Sequence, residues 1–315
     1  MTELQDSYDV IVIGGGAAGL NGALMLARSR RSVAVIDAGR PRNAPAEAVH
    51  GLFAREGTPP AELIARGQEE VRSYGGEVIA GEVAAVAGSV DDFEVRLADG
   101  RTSRARRILV TAGVVDVLPA VPGLAEQWGR GVVHCPYCHG WEVRDRAIGV
   151  LATGPMTAHQ ALLFHQLSDD VVVFSHDAAL GEEEREKLAA VGIRVVAGQV
   201  AAVEQAAGLI TGVRLADGTL VPREAIAVAT RMVARAGFLA GLGLTPVEHP
   251  SGMGVHIPAE AMTGRTDVPG VWAAGNVTDM AAQVGPAAAA GGQAGAMINA
   301  DMVMADAARA VAGRN

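Results

Sequence analysis

Cysteine is nearly missing from this chain. Only Cys135 and Cys138 occur among 315 residues, which excludes a small secreted scaffold held by several disulfides. Positive charge is also short: 26 Lys and Arg against 35 Asp and Glu give a formal charge of -9. Nucleic acid and anionic membrane surfaces would be repelled, so neither is expected as a partner. The apolar stretch 8–27 lacks the basic flank of an export signal. Glu3, Asp6 and Asp9 stand there instead, and Gly14-Gly15-Gly16 cuts the run in two, so neither a signal peptide nor a membrane span is expected. A cytoplasmic protein is predicted, and in that reducing compartment a lone Cys-x-x-Cys is catalytic rather than structural.

What is present centres on Cys135-Pro136-Tyr137-Cys138-His139. Two thiols at this spacing can close a small disulfide, and each lowers the other's proton affinity when reduced. The thiolate is the attacking species in disulfide exchange, and His139, titrating near neutrality, could take the proton. Three other uses of the pattern are open. Attachment of c-type haem would need export. A zinc knuckle would need two more ligands, and His134 and His139 do not form a second pair at the usual distance. An incidental buried pair of reduced cysteines is the third; no metal site is predicted.

The chain before the pair strengthens the redox use. Residues 8–13 read as a strand buried on both faces, followed at once by Gly14-Gly15-Gly16-Ala17-Ala18-Gly19, a helix over 17–28 and a strand over 32–36 ending at Asp37. This is a dinucleotide fingerprint in its expected setting. Gly14 makes the turn, Gly16 lets the backbone approach a pyrophosphate, and Gly19 lets the helix pack on the strand. The helix start at Ala17 and Ala18 would face the phosphates with its N–H groups. Asp37 would bond the ribose hydroxyls, and an acid there favours FAD or NAD over NADP. The connection 39–60 carries Arg40, Arg42, Asn43 and His50; both arginines could reach the cofactor. A helix over 60–74 and strands over 77–86, 93–97 and 107–112 follow, the last running into Ala112-Gly113, small enough for close contact with a cofactor.

A proline-rich boundary at 118–123 precedes a second strand–turn–helix: strand 147–152, turn 153–155, helix 156–167, then strand 171–174. Its fingerprint is eroded. Residues 152–157 read Ala-Thr-Gly-Pro-Met-Thr, and Ser175-His176-Asp177 and Glu182-Glu183-Glu184 stand where arginines would hold a 2′-phosphate. A charged hydrogen bond to phosphate contributes about 1.5–3 kcal/mol, so losing two or three weakens binding roughly a thousandfold or more. Strands recur over 193–229, residues 230–246 cross back, 266–276 form a strand entering a small-residue turn, and 286–305 form an alanine-rich helix.

The Gly14–Gly19 fingerprint, Cys135-x-x-Cys138 and Val271-Trp272-Ala273-Ala274-Gly275-Asn276 together resemble the low-molecular-weight thioredoxin reductase family over nearly the whole chain. The resemblance implies an α/β fold with two Rossmann-like, three-layer domains: a discontinuous FAD domain at 1–118 and 246–315, and an inserted NAD(P)-binding-like domain at 119–245 carrying the redox pair. It also implies FAD contacts at Ala38, Arg42, Asn43, His50, Val83, Gly275, Asn276, Gln283 and Val284, and a homodimer. Two departures matter: the degraded second fingerprint, and His139 where the family's reductases have aspartate. Together they are similar to the FAD-dependent dithiol oxidases that close disulfides in small natural products of the gliotoxin and holomycin type. That subgroup implies a small dithiol substrate and molecular oxygen as partners, Cys135 as the exchanging thiol, Cys138 as the one nearer the flavin, and His139 as general base with His134 in reserve. An NAD(P)H-dependent reductase of thioredoxin or of a small disulfide is the alternative.

Overall fold

Val10 and Val12 enter one apolar cluster while Ile11 and Ile13 enter another, all four almost fully buried, as a strand covered on both faces requires. The computed structural model describes residues 3–176 and 178–313. Its first stretch runs β1 (Ser7–Ile13), α1 (Ala17–Arg28), β2 (Val33–Asp37), α2 (Pro60–Ser73), β3 (Glu77–Ala80), β4 (Val83–Ser89), β5 (Asp92–Leu97) and β6 (Thr102–Val110). The middle holds β7 (Val114–Val117), β8 (Val132–Val133), α3 (Pro136–His139), β9 (Ile148–Leu151), α4 (Thr157–His165), β10 (Val171–Phe174), α5 (Glu182–Ala190) and β11 (Arg194–Val196). It continues through β12 (Val200–Ala206), β13 (Leu209–Leu215), β14 (Leu220–Val221), β15 (Ala225–Val228) and β16 (Arg231–Ala234). The chain closes with β17 (Val247–Glu248), β18 (Gly254–His256), β19 (Val271–Ala273) and α6 (Val284–Ala312).

These elements pack as two units, Met1–Ala44 with Pro59–Val115 and Met232–Asn315, and Pro45–Thr58 with Asp116–Arg231. In the first, the sheet order is β3-β2-β1-β6-β5-β4. β6 has two partners along one edge: its first half pairs antiparallel with β5, its second half parallel with β19. One face is covered by α1 and α6, whose contact depends on missing side chains. A Cβ on Gly291 would lie 1.9 Å from the Ala18 carbonyl, and one on Gly295 2.5 Å from that of Gly22, so the two backbones touch directly. Charge ties α6 down as well. Arg107, almost fully buried, reaches Asp91 and Asp301 at 2.7 Å, and Arg106 reaches Asp9 and Asp306. Hydrogen bonds from Arg31, Arg106 and Arg309 hold the Asp306 carboxyl far below the usual carboxylate range.

The second unit is built on a parallel sheet in the order β11-β10-β9-β15-β8. Ile148, Val150, Val171 and Val173 pack under α4 and α5; Leu151, Val172 and Phe174 pack on the other side with Val203, Ile210 and Val213 of the β12–β13–β14 sheet. Both units are therefore layered α/β, as the sequence implies.

Three details differ from the expected elements. Residues 77–86 are two strands: β3 pairs parallel with β2, the chain turns at Gly81, and β4 pairs antiparallel with β5. A Cβ on Gly81 would press on the Leu97 side chain, so glycine at the break relieves a close contact. Residues 234–244, placed by the sequence with the middle domain, pack with the first unit, because Ala234, Ala236, Leu239 and Leu244 bury beside Val86 and Phe93. The last helix runs to Ala312, its extra turns secured by Asp306 and Arg309. Among the described residues no helix is long and apolar enough to cross a membrane.

Candidate active site

Proline at the first helical position presets φ and needs no N–H partner, and here it starts α3 directly after Cys135. The Cys135 carbonyl accepts the N–H of Cys138 at 3.3 Å and of His139 at 3.1 Å. This single turn brings the cysteines to a Cα–Cα distance of 5.2 Å, and they are joined as a disulfide. Gly140 then lets the turn close on α4's end: a Cβ there would meet Pro136 O at 2.2 Å and Leu167 Cδ1 at 2.3 Å.

The two candidate bases are held differently. His134 Nδ1 lies 3.0 Å from the Val228 carbonyl, which can only accept, so that nitrogen carries the proton; Gln160 Nε2 donates to His134 O at 2.7 Å. His134 is thereby fastened to β15 and α4. His139 is not: its Nε2 is buried with no hydrogen-bond partner. Burial pushes the proton affinity of His139 below the ordinary histidine value; Glu142 opposes this by its charge, while His50 and His134 add to it. A half-buried imidazole with lowered proton affinity and an unpartnered nitrogen, next in sequence to the disulfide, is suited to accept a thiol proton. Around the pair the surface is aromatic: Tyr137 is 71% and Trp141 65% exposed, and Arg144 stacks over Trp141 at 4.1 Å.

The first unit holds the fingerprint. Gly14 has φ +109°, and a Cβ there would press on the Thr111 carbonyl at 2.5 Å. A Cβ on Gly19 would fall 1.9 Å from Gly14 O. At Gly16 nothing lies within 4 Å of such a Cβ, leaving open space at the entrance of α1. The first turn of α1, beginning Ala17-Ala18, has no acidic residue, so its N–H groups are free of competing side-chain anions. Asp37 Oδ1 accepts the Gly15 N–H at 3.2 Å, tying the carboxylate to the turn. An open cradle, bare helix N–H groups and a placed acid fit the pyrophosphate and ribose of a dinucleotide.

The other expected contacts distribute as follows. Ala38 is exposed just past β2, Val83 opens β4 buried, and Ala112 and Gly113 follow β6, with Gly113 at φ +69°. Arg42 Nη1 donates to Met280 O at 3.3 Å and Asn43 is half-buried beside it in sequence. Arg40 is paired on the surface with Glu82 at 2.7 Å. Gly275 takes φ +78°, its missing Cβ facing Ala18. Asn276 commits its amide nitrogen to the carbonyls of Asp279, Met280 and Ala282, leaving Oδ1 as the atom through which it can meet a ligand. Gln283 is the N-cap of α6 and Val284 its first residue, with no acid in the first turn. His50 belongs to the second unit, between Glu56 and Glu142. Sequence reading missed both glutamates; the Glu142 position, three residues past His139, was the available signal.

The second turn keeps little of the first. α4 starts only at Thr157, after Pro155 and Met156, and Thr153 and Thr157 spend their hydroxyls on the carbonyls of Ala229 and Gly154. Glu182, Glu183 and Glu184 form the first turn of α5, where the helix dipole favours them. Asp177 lies outside the described residues.

Residues 8–295 match the model of the pyridine nucleotide-disulphide oxidoreductase family. Thioredoxin reductase tcpT of Claviceps purpurea (strain 20.1) is 33% identical, with 94% of each chain covered. Thioredoxin reductase sirT of Leptosphaeria maculans is 30% identical, with 95% of each covered. Among solved structures, HlmI superposes with a TM-score of 0.91 at 42% identity, covering 99% of this chain and 98% of that one. With a dinucleotide cradle, a paired disulfide and a family match spanning nearly its whole length, the chain belongs to the pyridine nucleotide-disulphide oxidoreductases, as a thioredoxin-reductase-like oxidoreductase.

Proposed function

We propose that this protein is an FAD-dependent dithiol oxidase that closes a disulfide in a small natural-product dithiol, with oxygen as the final acceptor. The observation that carries this reading is the contrast between a three-glycine first turn with Asp37 tied to it and a second turn lengthened by Pro155 and Met156, whose Thr153 and Thr157 hydroxyls are already engaged. FAD would be held by Gly14, Gly16, Ala17, Ala18, Gly19 and Asp37, with Ala38, Arg42, Asn43, Val83, Ala112, Gly113, Gly275, Asn276, Gln283 and Val284 as further contacts. The FAD domain is taken as 1–118 with 246–315 and the second domain as 119–245, with residues 234–244 of the latter packing on the first unit's core. A homodimer in the cytoplasm is part of the same proposal.

A substrate thiol gives its proton to His139 Nε2, and the thiolate attacks Cys135 Sγ. The Cys135–Cys138 bond breaks, leaving a substrate–Cys135 mixed disulfide and a Cys138 thiolate. His139 passes its proton to solvent and takes that of the second substrate thiol, whose sulfur attacks the substrate sulfur in the mixed disulfide, closes the product disulfide and releases Cys135 as thiolate. The dithiol has lost two electrons and two protons, and the cysteine pair has gained the electrons. The chemistry that bound FAD supplies is two-electron acceptance from that pair and delivery to oxygen as hydrogen peroxide. A nicotinamide-dependent reductase of thioredoxin or of a small disulfide is the second reading, supported by the family match and the relatives' names.

Oxygen uptake and peroxide release by the FAD-loaded protein with dithiothreitol and with cyclic-disulfide precursors test the proposal. Turnover without nicotinamide is expected; no oxygen uptake with any dithiol would contradict it.

A further inference from the structure

More titratable groups stand near the cysteine pair than the steps above employ. His50 comes from the bend 45–58, which closes on itself where Val49 pairs with Thr58. Its Nδ1 lies 2.6 Å from Glu56 Oε1, and its Nε2 lies 3.4 Å from Glu142 Oε1. Glu56 is anchored in turn, its Oε2 accepting the Gly51 N–H at 2.8 Å. Glu142 sits on the short turn Trp141–Val143 directly after Gly140, so the same backbone that presents His139 presents the carboxylate. The remaining charged or titratable neighbours are spoken for: His134 is fastened to Val228, and Arg144 stacks on Trp141 and lies 4.0 Å from Asp145.

Resting on the reading of His139 as proton acceptor, we propose that His50 and Glu142 form a positioning pair for it. An imidazole from a separate stretch of chain fixes the carboxylate whose charge stabilises His139 once it holds the substrate's proton. A glutamate left free on an exposed turn would sample many rotamers and be screened by water. His50, hydrogen-bonded to Glu56, stands within ion-pair distance of Glu142 when it carries both ring protons, and so narrows the places the carboxylate takes. Of the groups acting on His139, only Glu142 favours its protonated form; burial, His50 and His134 all oppose it.

The test uses the FAD-loaded full chain, the variants Glu142→Gln, Glu142→Asp and His50→Gln, and the double variant, with folding checked by circular dichroism. His139 ring signals, assigned with His139→Ala, are followed by NMR against pH. Anaerobic opening of the Cys135–Cys138 disulfide by dithiothreitol is timed by acid quench and thiol alkylation. Glu142→Gln is expected to move the His139 midpoint to lower pH and to slow the opening about tenfold, with Glu142→Asp recovering part of both. The double variant is expected to be no slower than Glu142→Gln alone. An unmoved midpoint, or losses that multiply, would overturn the proposal. Oxygen uptake by the unaltered enzyme is scored separately: if it is absent, the oxidase reading fails while the midpoint still decides this one.

Discussion

The chain makes the same strand–turn–helix twice and equips the copies differently. In the first, three residues separate β1 from α1, and the glycines are required: added methyl groups would strike backbone at Gly14 and Gly19. In the second, residues 152–156 intervene between β9 and α4, and Gly154 has nothing within 4 Å of a Cβ. Close packing around the first turn leaves an opening at Gly16, at the start of α1. The second turn is longer and looser, and its Thr153 and Thr157 hydroxyls donate to the carbonyls of Ala229 and Gly154. The same layers can therefore carry differently equipped turns, because layers depend on apolar pattern and sites on a few polar atoms.

The comparison can be broken or sharpened in graded ways. The largest effect belongs to sulfur: Cys138→Ser should lower dithiol turnover by about three orders of magnitude or more while FAD stays bound, read from oxygen uptake and flavin absorbance together. His139→Ala comes next, with a loss of about a hundredfold. Because burial holds His139 below the ordinary histidine value, it stays neutral through pH 7. Turnover should therefore fall only as pH drops through that lowered value, and the alanine variant should lack this acid limb in a pH–rate profile.

The two turns can then be set against each other. Gly19→Ala should weaken FAD binding by roughly 10- to 100-fold through overpacking against Gly14, whereas Gly154→Ala should change FAD content and melting temperature negligibly. Equal effects at the two positions would dissolve the contrast. The smallest effect is structural. Asp306→Asn should lower the melting temperature by about 2 °C, as for the loss of ~1 kcal/mol of surface ion pairing. Since the Asp306 carboxyl is depressed in the folded chain, its contribution is present above the unfolded carboxylate value and lost as pH falls towards the folded one. The difference between the two proteins should therefore vanish in acid.

Local pattern made much of this legible in the sequence. α1 follows from glycine spacing, since it is set by backbone rules acting over a few residues. What was not legible depends on distant packing. The apolar run 77–86 splits at Gly81 because its two halves pair with different strands, β2 and β5, and Leu239 and Leu244 join the first unit because Phe93 and Val86 do. His50 looked like a loop histidine near the cofactor; its partners Glu56 and Glu142 come together only once the bend 45–58 packs in the second unit.

Where the reducing equivalents enter is the central claim, and anaerobic reduction of the FAD-loaded protein, followed at the flavin absorbance band, tests it most directly. Rapid bleaching by a dithiol with none by NADPH or NADH is the predicted result; rapid bleaching by a nicotinamide would contradict it.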